Sequence, residues 1–193
     1  MTVVLKMPLL VRKLAVALLA LAAVLVLGAC GNKPKISTVG ETEGTYLNLG
    51  PLTYQVQISR QLNPHDIEDS TYLQGIRPFQ ARLAKGQTWF GIFIRVANET
   101  SQAHPAANDF VIEDTQDDRY FPVPQAPQNH FAYQGGIVPP SGLIPPVNSV
   151  ASEGVIQGSL VLFKLPVSAL DNRPLELIVT DQLQNEARVS LDV

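Results

Sequence analysis

From Leu52 onward the apolar residues recur at every second position, and this period-two alternation is the strongest constraint on the fold. Leu52, Tyr54, Val56 and Ile58 alternate with Thr53, Gln55, Gln57 and Ser59, the pattern of a strand with one face buried and one solvated. Thr88 to Asn98 (TWFGIFIRVAN) places Phe90, Ile92, Ile94 and Val96 on one face and Trp89, Gly91, Phe93 and Arg95 on the other. Apolar bulk on both faces predicts a central strand. Phe110 to Glu113 and Tyr120 to Val123, joined by a turn over Asp114 to Asp118, predict a hairpin. Ser159 to Leu165 alternates again and is closed by Pro166, which lacks the N–H that a ladder needs. Leu175 to Val179 and Ala187 to Leu191 supply two last strands around Asp181 to Asn185. No helical period of useful length appears in this part of the chain. About eight short strands separated by turn residues predict an all-β fold, an antiparallel β-sandwich.

Two segments interrupt the alternation. Asn63 to Gly75 is polar and opens on Asn-Pro, which predicts a loop. Pro122 to Pro146 holds seven of the fifteen prolines together with His130, Phe131 and Tyr133, and predicts a long irregular loop with extended pieces.

The amino-terminal part obeys different rules. Lys6, Arg12 and Lys13 precede an unbroken apolar run from Leu14 to Leu27, which ends in Gly28, Ala29 and Cys30. A basic head, an apolar middle and small residues at a cut site make a secretory signal peptide, and the run falls short of the ~20 residues that a membrane span needs. Leu27-Gly28-Ala29-Cys30 resembles the lipobox of bacterial lipoproteins. The resemblance implies a diacylglycerol on the Cys30 thiol, cleavage before Cys30 and acylation of the new terminus by a palmitate-type chain. Cys30 is the sole cysteine of the 193 residues, so neither a disulfide nor a cysteine-ligated metal is expected in the domain. Three segments are expected: a signal peptide over 1–29, a lipidated cysteine with a flexible tether over 30–45, and the sandwich over 46–193. The tether, rich in Gly, Lys, Thr and Glu, would reach on the order of 20 Å.

From Leu52 to Val193 the chain resembles an immunoglobulin-like domain of unknown function common on bacterial surface lipoproteins. The likeness is carried by a strand closing on Asn98, then by Phe110, Asp114, Tyr120 and Pro122, and finally by Gly158, Phe163 and Pro166. It implies an immunoglobulin-like sandwich on the extracytoplasmic face of a cell membrane or outer membrane. It implies no activity.

Charge narrows the partners. The net charge is −3, and the leader removes three cations and no acid, so the mature chain is more acidic still. A nucleic-acid partner is not expected, since it would require clustered Lys and Arg. Membrane attachment is expected through the lipid on Cys30.

Candidate chemistry is sparse. Glu113, Asp114, Asp117 and Asp118 could offer oxygens to Ca²⁺, but they lack the spacing of a calcium loop and suit an ordinary acidic turn. His65, His104 and His130 could share a metal only if the fold gathered them. No Gly-x-Ser-x-Gly elbow occurs. Asn98-Glu99-Thr100 fits a glycosylation sequon and equally a strand-ending turn. Trp89 is expected in the core. No catalytic residue, metal or cofactor is expected. The chain is expected to bind a protein or envelope partner through Phe121, His130, Phe131 and Tyr133, whose aromatic rings between prolines either form a contact surface or fold back to cap the sandwich. Two other classes remain open: an envelope enzyme built from loop acids and histidines, and a structural subunit of an envelope complex.

Overall fold

In the computed structural model, β4 (Gln87–Ala97) occupies the centre that its two apolar faces predict. The structure describes residues 37–192. The expected signal peptide, Cys30 and the first tether residues lie outside them.

The first sheet is ordered β10 (Ser159–Pro166), β4, β3 (Leu52–Leu62), β2 (Leu47–Leu49). β9 (Leu143–Ile144) also pairs with β4, at Val96 and Ala97. The second sheet is ordered β1 (Val39–Gly40), β12 (Glu186–Leu191), β11 (Leu175–Thr180), β6 (Asp109–Glu113), β7 (Arg119–Tyr120). All these pairs are antiparallel except β1 with β12. β5 (His104–Pro105) and β8 (Ile137–Val138) form a separate two-stranded ribbon. Tyr54, Val56, Phe90, Ile92 and Ile94 of the first sheet belong to one buried cluster with Ile112, Leu177, Val179 and Val189 of the second. The chain is therefore an antiparallel β-sandwich with its core between the sheets.

The outer face of the first sheet carries a second cluster. Trp89 and Phe93 of β4, with Leu62, Leu160 and Leu162, pack under Tyr72, Ile76, Val123 and Phe131. Tyr72 and Phe131 meet edge to face at 4.8 Å, and Tyr72 and Phe93 at 4.9 Å. Each such ring removed from water is worth about 1.5–3 kcal/mol. Trp89 is buried as expected, but under the loops rather than between the sheets, with Lys164 Nζ 4.9 Å from its ring.

Two expectations are corrected. The polar stretch from Asn63 contains helix α1 (Ile67–Tyr72), started by Asp66, whose side chain accepts from the backbone N–H of Glu68 and Asp69. It is too short for periodicity to reveal. A second short helix, α2 (Val150–Glu153), begins on a Ser149–Ser152 capping box, and a 3₁₀ turn spans Val167–Asp171. The tether was expected to run free to Thr45, yet β1 lies on β12, and the Glu43 carboxylate accepts from the Ser59 hydroxyl and from the N–H groups of Ser59 and Asp192. Ordered chain therefore begins before Tyr46.

Candidate binding groove

The proline-rich loop builds a groove. Its cavity volume is about 530 Å³, and nearly all of its lining comes from residues 127–149. Pro139, Pro145 and Pro146 stiffen the walls, because each fixes its own φ. Ala132 and Val138 are buried beneath it, while Ile137 and Val147 stand 67% exposed on the rim. Among the described residues, no Asp or Glu lines it.

Three anchors hold this loop on the sandwich. The first is the edge of β10, where Val123 N–H donates to Leu162 O at 2.7 Å, Tyr133 N–H donates to Leu160 O at 2.8 Å, and Leu160 N–H donates to Phe131 O at 2.6 Å. An open strand edge is thereby covered. The second is Asn129, which is buried. Its amide nitrogen donates to Tyr72 O and Gln74 O, both at 2.9 Å, and its oxygen accepts from Phe131 N–H. The third is Asn98, 1% exposed at the end of β4. Its amide nitrogen lies 2.7 Å from Gln102 O, 2.9 Å from Val138 O and 3.0 Å from Pro139 O, and its backbone N–H donates to Gly142 O. That amide is fully engaged, so the sequon is a structural turn and not a glycan acceptor.

The four expected contact residues separate. Tyr133 turns inward, stacks edge to face on Phe110 at 5.0 Å and donates its hydroxyl to Ala107 O. Burial pushes its phenol pKa far up. Tyr54, pushed up to about 12 chiefly by burial, accepts from the N–H of the same Ala107. Phe131 is packed against Tyr72 in the outer cluster. These two rings cap the sandwich. His130 is exposed and lines the groove, whereas Phe121 is 64% exposed and outside its lining.

The other candidates are placed as follows. Asp114 is buried and organises its turn: Oδ1 accepts from the N–H of Gln116 and Asp118, and Oδ2 accepts from Tyr120 Oη–H and the Asn172 amide. Burial alone would raise its pKa; these four hydrogen bonds outweigh it and hold the carboxyl below the usual range. Glu113 is turned outward to Arg119 at 2.7 Å and Arg188 at 3.8 Å. Among the described residues, no group of three His, Cys, Asp or Glu side chains converges.

Asn98 was visible in the sequence as the end of a strand and the start of a sequon, not as an anchor for the loop. Asn129 gave no signal at all, because the carbonyls its amide donates to lie more than fifty residues away in the chain.

No family model matches the sequence, and no curated protein does. Among solved structures, the chain is similar to the yjhA protein of Bacillus subtilis, at 10% identity and a TM-score of 0.45, covering 79% of this chain and 99% of that one. It is similar to an uncharacterized β-sandwich protein of Clostridium difficile 630, at 10% identity and a TM-score of 0.44, covering 83% and 99%. It is similar also to a putative lipoprotein of Bacillus subtilis, ycdA, at 11% identity and a TM-score of 0.46, covering 77% of this chain and 38% of that one. None of these similarities assigns the chain to a family.

Proposed function

We propose that this protein is a lipid-anchored binding module of the bacterial cell envelope, held on the extracytoplasmic face through Cys30 and engaging a protein or envelope partner at the proline-rich groove. The observation that carries the reading is the groove itself. A loop of this composition is stiffened by prolines, tied to the sheet edge and pinned by two buried asparagines, so its open rim of His130, Ile137 and Val147 costs little entropy to present. The address rests on the apolar leader and the Cys30 sequence. No helix among the described residues is long and apolar enough to cross a membrane. The proposal is binding without turnover; of the described residues, the groove lining holds His130 as its one titratable side chain.

The test places a photoreactive amino acid at Ile137 on the rim, and at Leu183 as a control, which is 81% exposed on the β11–β12 turn. A discrete adduct in cells from position 137 and not from 183, lost in a Cys30→Ala background, is the expected result. Equal adducts from both positions, or none, would overturn the groove. A mature protein whose mass shows no acyl addition at Cys30 would overturn the anchor.

A further inference from the structure

The covering cluster leaves part of the first sheet's outer face bare. Further along β4, beyond Trp89 and Phe93, Arg95 and Ala97 emerge beside Thr53 and Gln55 of β3. β4 pairs with β10 up to Ile94 and with β9 from Val96, so Arg95 stands at the gap between those partners. Two depressions meet there. One, about 240 Å³, runs between Arg95, Pro145, Val147, Glu153 and Gln157. The other, about 230 Å³, is lined by Tyr46, Thr53, Gln55, Arg95 and Glu99. Leu143 belongs to both.

Among the described residues, Arg95 is the cation of each depression, and none of them pairs with it. Four Lys or Arg side chains among the described residues are half-buried. Arg60 pairs with Asp69, Arg188 sits among three glutamates, and Lys164 lies over Trp89 and donates to Arg82 O. The Arg95 guanidinium alone makes no hydrogen bond and no ion pair within the described residues. Arg95 is half-buried, and its planar fork of five donors is left to water, which an acceptor of matching shape could displace. The fork fits a carboxylate through two parallel hydrogen bonds.

Glu153 and Glu99 line the depressions on either side without reaching Arg95. One cation between two anions opposes a bare polyanion such as phosphate and favours a ligand carrying both signs. We infer that the Arg95 site binds an amino-acid or peptide zwitterion, with its carboxylate on Arg95 and its ammonium toward Glu153. Leu143, Pro145 and Val147 give that side of the site an apolar wall for a small side chain. The Leu143–Val147 segment also lines the proline-rich groove, so Pro145 and Val147 serve both sites, but Arg95 and Glu153 line this one and not the groove, and their variants test it separately.

The probe is the dipeptide Ala-Ala, titrated into the full chain in detergent and followed by heteronuclear NMR. Saturable shifts at Gln55, Arg95 and Gln157 are expected, with at least ten-fold weaker binding in Arg95→Gln and for Ala-Ala amide on the unaltered protein. Glu153→Gln should weaken Ala-Ala several-fold and leave N-acetyl-Ala-Ala unchanged. Arg95→Lys, which keeps the charge without the fork, should fall between. No saturation by Ala-Ala, equal binding of the amide, or inorganic phosphate binding as tightly as the dipeptide would each overturn the inference.

Discussion

Replacing Asn98 tests whether one side chain holds the groove in place. Its amide faces three carbonyls, and its oxygen accepts from Thr100 N–H at 3.0 Å and Thr100 Oγ1–H at 2.7 Å. In Asn98→Ala the bond to Val138 O, which is buried, leaves an acceptor that water does not reach, at about 1–3 kcal/mol. The bonds to Gln102 O and Pro139 O are partly exposed, so water replaces them at roughly 0.5 kcal/mol each. The expected loss is about 2–4 kcal/mol. With a urea m-value of ~2 kcal/mol per M, the unfolding midpoint should fall by about 1–2 M. Asn98→Asp keeps the shape but aims an oxygen at three carbonyls, so it should cost at least as much. Limited proteolysis should then cut first between Val138 and Gly142, the segment Asn98 pins. A midpoint within 0.3 M of the unaltered protein (about 0.6 kcal/mol at that m-value), or an Asp variant as stable as the native chain, refutes the reasoning.

Other perturbations report on other parts of the fold. Asp114 has a depressed pKa, so its contribution is present above the unfolded value near 4 and is lost as pH falls through the folded one. Urea midpoints measured from pH 7 down to 2.5 should drop below about pH 4, and Asp114→Asn should be less stable at pH 7 with a shallower acid decline; an unchanged slope would count against the buried carboxylate. In Gly158→Ala the added Cβ would sit 3.0 Å from the Phe93 carbonyl carbon and 3.1 Å from Ile94 N, both backbone atoms that cannot swing aside. The expected cost is about 1–3 kcal/mol by thermal unfolding. Phe131→Ala removes the ring stacked on Tyr72 and should cost about 2–4 kcal/mol, whereas His130→Ala, on the exposed rim, should stay within about 0.5 kcal/mol and alter crosslinking instead.

The sandwich was legible because a strand's side chains alternate by geometry. Phe90, Ile92, Ile94 and Val96 face the core in the register their spacing predicts, and Trp89 and Phe93 correctly announced a strand covered on both faces. What covers the second face was not legible, since α1 has six residues and Phe131 reaches Tyr72 across nearly sixty positions of chain. The same holds for the contact residues. Composition marked the proline-rich loop as the distinctive surface, but nothing local decides whether an aromatic between prolines faces water or protein. Tyr133 found Ala107 O and Phe110, and Phe131 found Tyr72, while His130 stayed at the surface.

Arg95 could have been noticed as the one charge in TWFGIFIRVAN. Its meaning required the neighbouring strands, because the gap between β10 and β9 leaves it without a partner among the described residues, beside two open depressions. By itself the sequence determined strand periodicity, turn chemistry and the apolar run from Leu14 to Leu27, all properties set within a few residues of chain. The tertiary structure decided which polar groups meet, which rings are buried and where the surface stays open. Those outcomes depend on contacts between segments far apart in sequence, and a single chain read in order carries no signal of them.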